Sequence, residues 1–473
     1  MYTRLLTALA VMVVAGCSSP LRGPEGPFRS PSGRSLDEAW AAQSRRTADE
    51  LHARTGESIT LDEAATLREY LAYAALHSPR LEAAFARWQA ALQRLPQVRA
   101  LPDPTFTYGH FIEQVETRVG PQEHRVRIAQ TFPWFGTLQL KEDIAARAAE
   151  AAYEQYQAVK LRLFFEVQDA YLERYVLARS IELTRENIEL LKQLEQAARA
   201  QYRVGAAAQG DVIRLQVEIE KLTDHLRSLE DRRRPLTARL NAALNRPTDS
   251  DLPWPGKIPD HRLDATDAEL LALLQHQNPT LRALQKQIEQ QRLSTKLARK
   301  AYYPQMTVGV DWIATGEADA PNTPGSGDDP VIGSLTLSVP LWREKYDAGV
   351  REALALRHAA ARDRLDAANT LLAEAQTVLY RYRDADRQVA LYLDTLIPKA
   401  HQSLEASLGA YRSGNGALLD MIDAERLLLE FQLAAERARA ARLQMLARLD
   451  MLVGAESPRR PDASTNTTDR ITP

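Results

Sequence analysis

The chain has 473 residues, a net charge of −2 and 45% apolar residues. Near-neutral charge gives no basic surface for nucleic acid, and beyond the N-terminus no apolar run reaches the roughly 18 residues of a membrane-spanning helix. The one cysteine, Cys17, excludes an intrachain disulfide. Any contact with a bilayer must therefore come through strands or an anchor.

Residues 1–16 read as a signal peptide: Arg4, then the apolar run from Leu5 to Ala15. Val14-Ala15-Gly16-Cys17 resembles a bacterial lipobox, which implies cleavage before Cys17 and lipidation of its thiol. Ser18 after it resembles the pattern sorted to the outer membrane. Several acyl chains give firm anchoring, each buried methylene adding about 0.8 kcal/mol. The alternative is a core cysteine in an ordinary N-terminal helix. Residues 17–60, rich at first in Pro, Gly and Ser, form a tether.

A first repeat spans 61–246. Helical pattern starts near Leu61, breaks at Ser78-Pro79, resumes to about Arg99 and stops at Pro102 and Pro104. Thr105 to Ile112 and Arg125 to Phe132 alternate as strands, with 113–124 as a polar loop. Phe132-Pro133-Trp134-Phe135-Gly136 then opens a stretch of about 68 residues, up to Gly205, with no Gly or Pro. Ala, Leu, Glu, Gln and Arg dominate it, so it predicts one helix about 100 Å long. A seven-residue series runs along it at Val176, Leu183, Leu190, Ala197 and Val204. Such a helix must lie against other long helices or expose its apolar side throughout. A return helix starts at Asp211 with coiled-coil spacing (Val212, Leu215, Ile219, Leu222, Leu226, Leu229), and Pro235 kinks it.

After a Pro-rich linker at 247–260, the pattern recurs over 261–454. Pro79, Leu81, Ala83, Arg99, Pro104, Thr107 and Gly109 match Pro279, Leu281, Ala283, Arg299, Pro304, Thr307 and Gly309 at a constant offset of 200. Met306 to Trp312 and Ser334 to Val339 alternate as two more strands, separated by a Gly-, Asp- and Pro-rich loop. Pro340-Leu341-Trp342 echoes Pro133-Trp134-Phe135. A second long helix leads from Arg343 to Tyr411-Arg412-Ser413-Gly414, the counterpart of Tyr202-Arg203-Val204-Gly205 at an offset of 209, and Asp420 matches Asp211. The last helix runs to Val453, and 455–473 read as a disordered polar tail.

Four amphipathic strands cannot close a membrane barrel, whose smallest bacterial form has eight, and open edges are not tolerated in lipid. Closure requires several copies of the chain.

On these features the chain resembles the TolC-like outer-membrane efflux family over about 61–454. The marks are the two-fold repeat, Pro133 and Pro340 at the strand-to-helix joints, and the turns YRVGAAAQGD and YRSGNGALLD. The resemblance implies a mixed, mainly α fold: a homotrimer with a 12-stranded barrel shared by three chains and a long helical periplasmic barrel. It also implies a passive exit duct in the outer membrane, served by a periplasmic adaptor and an inner-membrane pump of the resistance-nodulation-division type. LPDPTFTYG, ETRVGPQ and FPWFG resemble members that work with heavy-metal pumps. By resemblance, Asp420 and Asp423 in LLDMID form the periplasmic gate, and Val204, Gly205, Ser413 and Gly414 are the adaptor-contact tips. The sequence departs from the pattern at Arg214, where a second acid is expected, and at Ser413, where Val is usual.

Plainer readings stand beside these. Asp211 and Asp420 suit helix N-caps, and Asp423 suits a helix first turn. Arg125 and Arg127 suit a barrel lumen or a solubilised strand edge. The nine histidines are scattered and Met is scarce, so no soft-metal site or resident cofactor is expected. No nucleophile, phosphate loop or metal-ligand motif marks an enzyme. Drug efflux, type I protein secretion and a non-pore, lipid-anchored coiled-coil adaptor are the alternative functions.

Overall fold

The computed structural model describes residues 61–461 except 63–64, 206–207, 257, 259–260 and 414–415. The expected signal peptide, tether and Cys17 therefore lie outside the described residues, as do Gly414 and the end of the tail.

Two short helices open the fold, α1 (Leu67–His77) and α2 (Pro79–Arg99). A capping box at Thr66 and Glu69 starts α1, and the Ser78 hydroxyl accepts the Leu81 N–H to start α2. Strands β1 (Thr105–Thr117) and β2 (Gly120–Phe132) follow as a tight hairpin. The polar segment at 113–124, expected to be a loop, is thus mostly strand, with a turn at Arg118-Val119. Its polar residues continue the ladder beyond the apolar part of the hairpin, with Val115 against Gln122 and Glu116 against Pro121.

Gly136, at φ 77°, turns the chain from β2 into α3 (Thr137–Arg203), a single helix of 67 residues. Its buried seam runs through Leu177, Thr184, Leu191 and Ala198, one residue on from the expected series, of which Leu183 is also buried against Leu429 and Leu433. Thr184 hides that seam from a hydrophobic reading. It is fully buried because its hydroxyl donates to the Ser180 carbonyl at 2.7 Å. One residue rotates a helix position by about 100°, so Ala197 and Val204 face solvent instead.

The return arm is α4 (Gln209–Asp231) and α5 (Arg233–Ala243). The break falls at Arg232, because Pro235 has no N–H to bond Asp231. The second repeat then runs through β3 (His261–Leu263), α6 (Asp267–Gln277), α7 (Pro279–Lys300), β4 (Met306–Thr315), β5 (Val331–Leu337) and α8 (Arg343–Leu391). The expected single helix to Tyr411 is interrupted by a π turn at Tyr392–Leu396, followed by α9 (Ile397–Arg412). Pro398 lies just beyond and cannot donate to Asp394, so the ladder shifts by one residue. Helix α10 (Leu418–Val453) returns, and β6 (Arg459–Pro461) pairs with β3. Residues 456–461, expected in the polar tail, are tied down by Arg459 and Ser457 on Asp450.

Each repeat has a core where its short helices meet long ones, and Ala440 of α10 joins the first. In the first, Tyr70, Ala74 and Leu81 pack on Leu163, Val167 and Tyr171 of α3. In the second, Leu270, Leu274 and Leu281 pack on Ala375, Val378 and Leu379 of α8 and Leu449 and Leu452 of α10. The four long strands form one antiparallel sheet in the order β1-β2-β4-β5.

Candidate functional site

The two ends of the long helices carry the residues of interest. At the strand end, register sorts side chains onto two faces. Phe106 stands opposite Ile128, Tyr108 opposite Val126, Ile128 opposite Val310 and Val308 opposite Leu335, so one face is mainly apolar across all four strands, with Gln130 and the pair His110 and His124 also on it. Phe106, Val308, Val310 and Leu335 are exposed on it. The other face is polar. The Arg125 guanidinium donates twice to Asp311 Oδ1, at 2.6 and 2.8 Å, and Arg127 Nε lies 3.9 Å from Asp311 Oδ2. Asp311 is only 1% exposed, so its charge is matched by two arginines rather than by water. Thr131 and Thr307 share a hydrogen bond of 2.9 Å on the same face. The sequence pattern marked Arg125 and Arg127 but did not identify Asp311 as their partner; its even spacing with Thr307 and Gly309 was the available signal.

Aromatic groups gather where strands meet helices. Trp134 stacks on Tyr303 with ring centroids 5.1 Å apart; Phe135 next to it is exposed, as is Trp342 at the matching joint before α8. Lys300 Nζ donates to the Phe135 carbonyl at 3.1 Å, joining this turn to the end of α7.

At the helical end, both hairpins turn within a few residues. Val204 closes α3 and is 79% exposed. Gly205, at φ 76°, takes the left-handed conformation that ends such helices, and its N–H donates to the Tyr202 carbonyl. In the second turn Ser413 stands in the place of Val204, and its hydroxyl donates to the Ala410 carbonyl at 3.0 Å. A polar group bonded to its own helix thus replaces an exposed apolar one.

Asp211 and Asp420 are not N-caps. Ala208 and Ala417 hold those positions, with no side-chain cap, and each aspartate is the third residue of its helix. There a carboxylate offsets the positive helix end. Asp420 and Asp423 are both exposed on α10. Asp423 lies 3.4 Å from Arg426, whose Nε donates at 2.8 Å to Glu218 of α4. Among the described residues Asp420 has no ion-pair partner, so the two acids are not electrostatically equal. The Glu218 carboxyl is held below the usual range by its hydrogen bond with Arg426, despite partial burial.

Beside this network lies Glu425, 3% exposed, which accepts a hydrogen bond from Asn187 Nδ2 on α3. Burial pushes its pKa up to about 7. Below it Leu191 and Ala198 of α3, Val212 and Leu215 of α4, and Leu418, Met421 and Ile422 of α10 form the apolar cluster that joins the hairpins. Tyr411 packs against this cluster, and burial, with the charge of Asp211 added, pushes its hydroxyl pKa up. The sequence reading singled out neither Glu218 nor Glu425 nor Arg426, because acids and bases at such spacing read as a solvated helix face.

The sheet also brings His110 and His124 together, with Nδ1 atoms 3.2 Å apart, and Tyr108 adds its hydroxyl to His124. Among the described residues no cluster of three or more metal-ligating side chains is found.

The fold and these ends have known counterparts. The profile of the family described as "Outer membrane efflux protein" matches residues 71–246 and 270–455. The pyoverdine export outer membrane protein OpmQ of Pseudomonas putida is 24% identical over 345 residues, covering 69% of this chain and 70% of its own. The outer membrane protein VceC of Vibrio cholerae superposes with a TM-score of 0.66 at 17% identity, covering 82% of this chain and 96% of its own. The Campylobacter jejuni CmeC outer membrane channel superposes at 0.64 and 15% identity, covering 89% of this chain and 94% of its own. With the profile running through both repeats and the channel fold present from strands to helical turns, the chain belongs to the outer membrane efflux protein family and has the TolC-like fold.

Proposed function

We propose that three copies of this chain close a 12-stranded barrel in the outer membrane and continue below it as a helical tunnel. The observation that carries this is the sheet. It has one mainly apolar and one polar face, and among the described residues of a single chain β1 and β5 each leave an edge without a neighbouring strand. Lipid tolerates no bare edge, so β5 of one chain pairs with β1 of the next. The Arg125–Arg127–Asp311 network then faces water inside, and the exposed aromatics at the strand-to-helix joint lie at the membrane interface. A non-pore coiled-coil adaptor leaves this two-faced sheet without a role.

In this reading the protein is the passive exit duct of a tripartite efflux assembly. Val204, Gly205, Ser413 and Gly414 meet a periplasmic adaptor, which joins the duct to an inner-membrane pump of the resistance-nodulation-division type. Asp420 and Asp423 ring the narrow end, and Cys17 carries the lipid anchor. The acidic pair favours cationic cargo, heavy-metal cations among them.

The solution mass in detergent tests the assembly: a trimer is expected, and a monomer carrying a complete pore refutes it. Insertion tests the faces. Val308→Arg should destabilise the inserted protein by about 2–4 kcal/mol near the bilayer midplane, while Thr307→Arg on the polar face should be tolerated. Mass spectrometry of the mature N-terminus should find cleavage before Cys17 and added acyl mass; an unmodified Cys17 refutes the anchor.

A further inference from the structure

A cavity of about 320 Å³ opens between α4 and α10, over α3. Its walls are mainly apolar, built from Leu191, Leu222, Leu429 and Leu433. Glu425 lines it. One carboxylate oxygen of Glu425 accepts from Asn187, while the other, Oε2, is buried with no hydrogen-bond partner among the described residues. A buried acceptor left unmatched costs about 1–3 kcal/mol, so its place in a cavity wall calls for an occupant.

Of the other charged groups around this space, Glu218 and Arg426 pair with each other, and His225, Glu430 and Arg437 are exposed to solvent. From α4 come Glu218, committed to Arg426, and His225. From α10 come Arg426, Glu430 and Arg437, and α3 offers only the neutral Asn187. The buried carboxylate with an unmatched oxygen is that of Glu425. An anion would meet that carboxylate without compensation. A bare metal ion would lack ligands, since no metal-ligating cluster occurs among the described residues. A water could satisfy Oε2 but would leave the leucine walls uncovered. A positively charged nitrogen on an apolar body satisfies both.

We infer that this cavity is a binding site for an amphiphilic organic cation, with Glu425 as its counter-charge. The site lies within one protomer, just past the acidic pair along α10, and does not depend on the exit-duct reading. Binding favours the ionised carboxylate. Because burial holds the Glu425 pKa near 7, affinity should rise with pH across neutrality.

Ethidium, a planar cation with two aromatic amines, is a suitable fluorescent probe for the full chain in detergent. Saturable binding of one ethidium per protomer is expected, tighter by about tenfold at pH 8 than at pH 6, because the carboxylate fraction grows by about that factor. Glu425→Gln keeps the shape and removes the charge. It should weaken binding at pH 8 by about tenfold and flatten the pH profile. Leu433→Trp fills the cavity and leaves Glu425 in place; it should abolish binding. Far-ultraviolet circular dichroism of each variant establishes that it is folded. The double variant Asp420→Ala with Asp423→Ala should still bind. The inference is overturned by unchanged binding in Glu425→Gln or Leu433→Trp, by wild-type affinity that ignores pH, by absence of saturable binding, or by binding lost only with the acidic pair.

Discussion

The two hairpins share their turns and differ in the polar residues that follow. At the offset of 209, Asp211 matches Asp420, but Arg214 matches Asp423, Gln216 matches Glu425 and Val217 matches Arg426. In the first hairpin the charges settle locally. Arg214 lies 3.9 Å from Asp211 on the same helix, and Gln216 donates to Glu195 of α3 at 2.9 Å. In the second hairpin, acid accumulates, and Arg426 reaches across to Glu218 on the first hairpin's return arm. Prolines divide in the same way. Pro235 breaks the return arm of the first hairpin and Pro398 the outgoing arm of the second, leaving α3 and α10 unbroken. Duplication has kept the apolar positions and the turns, which the fold requires, while the polar positions have taken separate tasks.

Exchanging matched residues between hairpins tests that division. The largest effect on stability should come from Glu425→Gln, which copies Gln216. A raised folded-state pKa means that the stabilisation contributed by the protonated acid is full below the ordinary carboxylate range and is lost as pH rises to about 7. The variant should therefore melt like the parent near pH 4 and be more stable above pH 7, by about 3 kcal/mol per protomer. Equal melting temperatures at pH 8 would show that the carboxylate ionises there without cost.

Next is Asp423→Arg, which copies Arg214. It removes the exposed pair with Arg426, worth about 1 kcal/mol or less, and places two bases three residues apart. The larger consequence is electrical: the cation-to-anion permeability ratio in single-channel recordings should fall. Replacing both acids, Asp420→Ala with Asp423→Ala, should lower it too and weaken block by multivalent cations. An unchanged ratio would make these residues ordinary helix-start acids. The smallest effect is expected from Arg214→Asp, which gives the first hairpin the second's pattern. Losing the exposed pair with Asp211 should cost about 0.3–0.5 kcal/mol, and the permeability ratio should rise.

Backbone chemistry made most of the fold legible. A stretch free of Gly and Pro could only be α3, and the paired prolines marked the joints of both repeats. Legibility ended where tertiary contacts overrode local pattern. Thr184 occupies the α3 seam because its hydroxyl is bonded within the helix, so an apolar series could not find it. The polar residues at 113–124 became strand because a partner strand satisfies their backbone, not because of their side chains. Asp420 and Asp423 could be named from the turn motif, yet only the folded chain shows Asp423 beside Arg426. Glu425 carries no sign of burial in its sequence neighbourhood, since DAERLLLE reads as an amphipathic helix with its acids outside. The packing of α10 against α3 puts it inside.

The bare edges of β1 and β5 also have a genetic consequence. In the proposed trimer every seam joins two chains, so one subunit with a damaged edge leaves a gap that two sound neighbours cannot cover. Co-expressing an edge-damaged chain, for example one with proline in β5, in equal amount with the normal chain should leave about one in eight trimers wholly normal. The damaged allele should therefore be dominant, and sensitivity to exported compounds should follow its dosage.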